Sequence, residues 1–280
     1  MPVFFQSMAL ENCRLCRGTG YKMIARPDGA GSMAVACDCG MEERASRVMD
    51  RARVPKRYEH CDFESYATDL ADGKTYSARH GDELKRAKLN AQGFVKNYPG
   101  SDHSGLLFMG PPGVGKTHLA VACLRELIGR GHSGYFCEYG TMLREIQQSY
   151  ADGAEKNESK ILHPILSVEV LVIDDLGCIK PSDWVRDIAG YIINSRYSES
   201  SRDLTHPKCT IITTNYSDYV QESEGKLPNG RLIVNRTETL SDRIGMRLRS
   251  RLFEVCKTVE LERSLPDFRK EKSQSSRARA

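Results

Sequence analysis

From about residue 105 onward, short apolar runs alternate with stretches in which apolar side chains return every third or fourth position. The runs at 106–109, 134–138, 168–173, 209–213 and 254–260 have the length of strands. Between them Leu119, Cys123 and Leu127 recur at helical spacing, as do Met142, Ile146 and Tyr150, then Trp184, Ile188 and Ile192, and finally Leu240, Ile244 and Leu248. Strands alternating with amphipathic helices are the signature of βαβ units, so the pattern predicts an α/β fold around a parallel sheet. Upstream, residues 1–43 are Gly-rich and Cys-bearing with little apolar periodicity, and they cannot fold on a core of their own. A helix is expected over about 41–54, ended by Pro55, and a second over about 81–98. Three parts result: a Cys-rich module with its linker helix at 1–55, a main domain at 56–265, and a basic disordered tail at 266–280. Residues 218–237 form an insertion-like segment in which Gly225 and Asn229-Gly230 predict an exposed loop.

A chain of 280 residues has room for one large domain and a small module. With 40% hydrophobic and 28% charged residues it has the make-up of a soluble globular protein. No apolar run approaches the roughly 18 residues of a membrane span, and the first residues do not follow the pattern of a secretory leader, so a cytoplasmic protein is expected. The net charge of +4 equals that of residues 268–280 alone, where Arg269, Lys270, Lys272, Arg277 and Arg279 face only Glu271. A second basic cluster is Arg44, Arg47, Arg51, Arg53, Lys56 and Arg57. Both suit contact with phosphates, and both equally suit a solvated surface.

The chemistry is concentrated at the ends of the predicted strands. Gly110-Pro111-Pro112-Gly113-Val114-Gly115-Lys116-Thr117 follows the first strand, and with His118 it opens a helix. This is G-x-x-x-x-G-K-[ST] in the context that the motif requires. Glycines let successive N–H groups turn inward onto phosphates, and the helix N-terminus adds its positive dipole end. Lys116 is placed to reach the β- and γ-phosphates of ATP, and the Thr117 hydroxyl to ligate Mg²⁺. Another strand ends in Asp174-Asp175, the first acid suited to holding Mg²⁺ and the second to polarising water. Thr213-Thr214-Asn215 closes the next strand, where the Asn215 amide can orient that water or simply form a turn.

Four of the ten cysteines form two close pairs, Cys13-x-x-Cys16 and Cys37-x-Cys39. Each pair presents two sulfurs from one tight turn, and the four together suit a tetrahedral structural Zn²⁺ site that stabilises a segment lacking a core. The alternatives are a redox pair, which normally starts a helix beside a βαβ unit, or free thiols. His60 and Cys61 are spare ligand candidates. Cys61, Cys123, Cys137, Cys178, Cys209 and Cys256 read as small buried hydrophobes.

Taken together, the glycine loop, the Asp-Asp pair and the Thr-Thr-Asn at successive strand ends resemble the AAA+ P-loop NTPase core. The likeness is greatest to the bacterial helicase-loader clade of the DnaC and DnaI type and to the related IstB transposition ATPases. The segments Ile192-Ile-Asn194-Ser-Arg196-Tyr197 and Arg247-Leu-Arg249-Ser250-Arg251-Leu252 extend the resemblance over most of residues 55–270. The resemblance implies that Arg251 is an arginine finger donated to the nucleotide of a neighbouring copy, with Arg247 and Arg196 as secondary contributors. By spacing alone, Arg243, Arg247 and Arg251 read equally well as one basic helix face. The resemblance further implies a hexameric replicative DNA helicase and single-stranded DNA as partners, self-association through Arg251, and weak, partner-stimulated ATP hydrolysis. Cys16-Arg-Gly-Thr-Gly20 resembles a zinc-binding knuckle, and in DnaI-type loaders an N-terminal module of this kind grips the helicase. Two other functions stay open: a transposition accessory ATPase acting on duplex DNA with a transposase, and an adaptor that binds ATP as a switch without hydrolysing it.

Overall fold

The computed structural model describes residues 13–19, 21–26, 31–37, 48–68, 78–101, 103–151, 155–202, 208–220, 222–226, 232–262 and 264–268. Its contacts divide the chain into two compact units, Met1–Pro55 and Lys56–Ala280.

In the first unit a turn at 13–19 leads into an antiparallel hairpin of β1 (Tyr21–Ala25) and β2 (Ser32–Ala36), with Tyr21 opposite Ala36 and Ala25 opposite Ser32. The sequence reading did not anticipate this hairpin, because strands of five residues with exposed Tyr21, Met23 and Met33 show no buried face to betray them. Of the helix expected over 41–54, residues 48–51 are helical and 41–47 lie outside the described residues. The helix closes where Arg53 takes a left-handed φ of 56° and the Val54 amide donates to the Met49 carbonyl.

The second unit is built on a five-stranded parallel sheet in the order β4-β5-β6-β3-β9. Its strands are β3 (Gly105–Met109), β4 (Gly134–Glu138), β5 (Val170–Asp174), β6 (Cys209–Thr214) and β9 (Cys256–Glu260). Every residue of β3 and β5 is buried, which is why these strands read as unbroken apolar runs rather than as alternations. Gly105 starts β3 because a side chain there would meet the Thr210 carbonyl oxygen at 2.3 Å. Helices α1 (Ala78–Asn97), α2 (Lys116–Gly129), α3 (Tyr139–Ala151), α4 (Glu155–Ser167) and α5 (Asp183–Arg202) connect or precede the strands. None of the described helices is long and apolar enough to cross a membrane.

Four expectations need correction. The segment 218–237, expected to be an exposed loop, carries an antiparallel hairpin of β7 (Glu222–Lys226) and β8 (Leu232–Arg236). The spacing Leu240, Ile244, Leu248 does not mark one helix but two, α6 (Leu240–Ile244) and α7 (Met246–Val255), separated by Gly245 at φ 87°, ψ 150°. Because α7 runs to Val255, the last strand begins at Cys256 rather than at 254. Leu240, Ile244, Leu248 and Leu252 all reach the core nonetheless, so burial kept the period that the backbone broke. Residues 266–268 are not part of a disordered tail: the Phe268 amide donates to the Gly113 carbonyl at 3.2 Å. Residues 269–280 lie outside the described residues.

Candidate nucleotide site

The parallel strands β3, β5 and β6 deliver their C-terminal ends to one rim, where open α/β sheets bind ligands. The glycine loop leaves β3 and enters α2 through Gly113 and Gly115, both at positive φ (82° and 92°). At Gly115 there is a second constraint, since a Cβ would lie 2.7 Å from the Tyr66 ring. Lys116, 6% exposed, directs its ammonium to the carbonyl oxygens of Gly110 (2.8 Å) and Pro111 (2.7 Å) and to Oδ1 of Asn215 (2.8 Å).

Asp174 ends β5 between two hydroxyls. Thr117 Oγ1 donates to its Oδ1 at 2.8 Å and Thr213 Oγ1 to the same oxygen at 2.7 Å. Burial raises the Asp174 pKa above the ordinary carboxylate value, against the lowering effect of the two hydroxyls and of Lys116. Asp175 takes a left-handed backbone (φ 59°), its amide donates to Thr213 Oγ1 at 2.9 Å, and its carboxylate accepts from Asn215 Nδ2 at 2.6 Å. The loop, both aspartates and Asn215 thus converge on one cavity of about 800 Å³, whose walls also include Pro112, Thr117 and His118. The hard oxygen donors Thr117 and Asp174 fit Mg²⁺, and the loop amides with Lys116 fit phosphates.

His118 lines the same cavity, but its Nε2 is tied to the Asp62 carbonyl at 2.8 Å, and its ring meets Tyr66 edge-on at 5.3 Å. Several lining residues were not anticipated. Thr213 bridges the two aspartates, although its motif had been read for Asn215 alone. Glu138 lies opposite Asp174 in the β4–β5 register, and the only signal was an acid at a strand end. Arg57, Tyr58 and Phe268 come from segments that no spacing rule connects to the loop.

The arginines separate by environment. Arg251 is not among the cavity-lining residues; its guanidinium donates to Asn194 Oδ1 and lies 6.0 Å from the Tyr197 ring centroid. Arg196 cannot contribute to a nucleotide site as the resemblance implied. It is 2% exposed and donates to the carbonyls of Ile165, Val168, Glu169 and Cys209 and to Thr210 Oγ1, joining α4, the two residues that lead into β5, and β6. Burial lowers its pKa to about 10, and it stays charged at neutral pH. Arg243 is buried as well, donating to Gly177 and Glu238 and stacking on Tyr216 at 4.8 Å, while Arg247 is exposed. Since Gly245 parts Arg243 from the other two, the three do not share one helix face.

In the N-terminal unit the sulfurs of Cys13, Cys16 and Cys37 all lie within 4.8 Å of one another, with Cys13 and Cys37 at 3.7 Å. A tetrahedral site with metal–sulfur bonds of about 2.3 Å has sulfurs about 3.8 Å apart, so this spacing fits a zinc ion. Cys39 lies outside the described residues. Cys61 belongs to the other unit, buried beside His60 with its pKa pushed up to about 11 by burial. Cys123, Cys137, Cys209 and Cys256 are buried, whereas Cys178 is half-buried.

A five-stranded parallel sheet with a glycine loop, an Asp-Asp strand end and a polar strand tip beside them defines a P-loop NTPase fold of the AAA+ type. The chain belongs to the family of IstB-like ATP binding proteins, whose model matches residues 38–217. It is similar to a crystal structure of the DnaC helicase loader, at 30% identity and a TM-score of 0.54, covering 74% of this chain and 99% of that one. It is 29% identical to the replicative helicase loader DnaC of Buchnera aphidicola subsp. Schizaphis graminum over 55% of this chain and 58% of that protein. A putative ATP-binding protein of insertion sequence IS5376 from Geobacillus stearothermophilus is 34% identical over 37% of this chain and 40% of its own length. The chain therefore spans just over half of the Buchnera relative and less than half of the insertion-sequence relative.

Proposed function

We propose that this protein is an ATP-hydrolysing loader that places a ring-shaped replicative helicase on single-stranded DNA. The observation that carries the reading is the position of Asn215, which accepts from Lys116 and donates to Asp175. The residue in reach of the γ-phosphate is thereby joined to the acid suited to activating water. Lys116 and the loop amides bind the phosphates, Thr117 and Asp174 hold Mg²⁺, and Asp175 with Asn215 orients the attacking water. When bound, Mg²⁺ neutralises charge on the β- and γ-phosphoryl oxygens.

Arg251 completes the site of a second copy, which makes hydrolysis depend on assembly and on the partner. It leaves Asn194 when it does so. Cys13, Cys16, Cys37 and Cys39 hold a structural zinc, and the module they organise selects the helicase. The helicase partner itself is supported by the likeness to DnaC loaders. DNA contact is electrostatic and loses affinity steeply with salt.

The likeness to the insertion-sequence protein favours a second reading, an accessory ATPase for a transposase on duplex DNA. Native mass spectrometry of the full chain, mixed in turn with helicase and transposase from the same source with ATP and Mg²⁺, separates the two. A helicase complex lost on deletion of residues 1–55 upholds the loader. A complex with transposase alone overturns it.

A further inference from the structure

A separate cavity of about 500 Å³ adjoins the nucleotide site at Asn215, which lines both. Its walls include Glu83 and Arg86 of α1, Gly110 at the start of the glycine loop, and Glu260 and Glu262 at the end of β9 and just beyond it. Three carboxylates thus face one guanidinium, and the cavity is acidic. Glu262 is engaged by Arg79 at 2.8 Å, and its main-chain amide donates to Glu83 Oε1. The other oxygen of Glu83, Oε2, has no hydrogen-bond partner among the described residues, although the residue is only 4% exposed. Arg86 lines the same cavity without reaching that oxygen. Burial raises the Glu83 pKa above the ordinary carboxylate value, as expected of a carboxylate short of positive partners. A buried carboxylate oxygen without a partner is costly, and a cationic donor would relieve both the missing bond and the uncompensated charge.

The chain itself offers such donors close by. The last described residue, Phe268, has its amide on the Gly113 carbonyl at 3.2 Å. Gly113 is three residues from Gly110, at most about 11 Å along an extended chain. The next four residues are Arg269, Lys270, Glu271 and Lys272, which span about 13 Å when extended, and three of them are cationic. The whole formal excess of +4 lies in residues 268–280, so the charges of tail and cavity are complementary.

We propose that the start of the basic tail, residues 269–272, folds back along the rim of the sheet and sets a lysine or arginine in this cavity against Glu83 Oε2. The tail is then an internal ligand of the main domain. Its cation also meets the charge of Glu260 and stands beside Asn215. Basic groups docked there are withheld from phosphates elsewhere, whereas Arg277 and Arg279 stay outside the cavity.

Two measurements on the full chain test this. In thermal unfolding, the combined variant Arg269→Gln, Lys270→Gln, Lys272→Gln lowers the melting temperature of the native background by about 2–4 °C. The same three substitutions leave a Glu83→Gln background unchanged, because Gln keeps the acceptor for the Glu262 amide and removes the charge that the tail meets. In tryptic digestion followed by mass spectrometry, cleavage after Arg269 and Lys272 is at least about tenfold slower than cleavage after Arg277, and Glu83→Gln abolishes the difference. A tail variant that melts like the native chain, or that lowers both backgrounds equally, rejects the docking. So does cleavage after Lys272 as fast as after Arg277 in the native chain. Protection that persists in Glu83→Gln overturns the assignment of Glu83 as the tail's partner. Should Glu83→Gln not fold, Glu260→Gln, at an exposed position, replaces it as the background, and the digestion of the native chain decides on its own.

Discussion

Lys116 and Asn215 stand 99 residues apart in the chain, and the lysine ammonium donates to the asparagine Oδ1 across 2.8 Å, joining the start of α2 to the tip of β6. The Asn215 amide nitrogen in turn donates to Asp175 at 2.6 Å. Asn215→Ala is therefore expected to slow phosphate release by about 100-fold, the cost of losing one preorganised polar group at a reacting centre, while ATP affinity changes only a few-fold. Asp175→Asn should likewise bind ATP and fail to hydrolyse it. Should Asn215→Ala lose ATP affinity in proportion to rate, Asn215 only shapes the pocket.

Asp174 is a charge that the fold bears at some cost. Its pKa is raised by burial, so the folded state favours the protonated acid. Stability is thus greatest below the ordinary carboxylate pKa and declines as pH rises through the higher folded value. Asp174→Asn, which keeps an acceptor for Thr117 and Thr213, should raise the nucleotide-free melting temperature at pH 7 by a few degrees, equivalent to about 1 kcal/mol, and abolish Mg²⁺-dependent hydrolysis. The gain should shrink toward pH 4. A melting temperature that falls at pH 7 would count against the buried-charge account.

Arg196 serves the framework. Its guanidinium donates to four main-chain carbonyls and one hydroxyl from 2% exposure. Arg196→Met strands those acceptors, and we expect a loss of about 3 kcal/mol or more in urea unfolding. A variant of native stability that is slow only in hydrolysis would return Arg196 to the site.

If Arg251 acts across subunits, Arg251→Ala and Lys116→Ala are each inactive alone, yet their mixture recovers part of the ATPase rate. In mixed assemblies an intact loop of one copy meets the intact Arg251 of another. A mixture as inactive as its components would confine Arg251 to its contact with Asn194.

The cysteine cluster makes a metal prediction. Purified protein should carry about one zinc per chain by elemental analysis. Cys13→Ser and Cys39→Ser should each lower that content and weaken helicase capture, with the melting of the main domain unchanged. Full zinc content in Cys39→Ser would exclude it as the fourth ligand.

The residues most plainly legible in the sequence were those that act through their own neighbours. A phosphate grip is made of consecutive backbone groups at a strand-to-helix turn, so Gly110 to Thr117 announce it, and strands buried on both faces announce themselves as apolar runs. The cysteine pairs are local for the same reason. Everything that depended on register or on which face a side chain takes was settled by the tertiary structure. Arg196 and Arg251 both lie in segments that resemble the loader clade, yet one is sealed under three elements and the other lies on an aromatic ring. The break at Gly245, the bridge of Thr213 between two aspartates and the approach of Phe268 to the loop leave no period or spacing in the chain. Their energies come from contacts between residues far apart in sequence, and only the folded backbone brings those residues within reach.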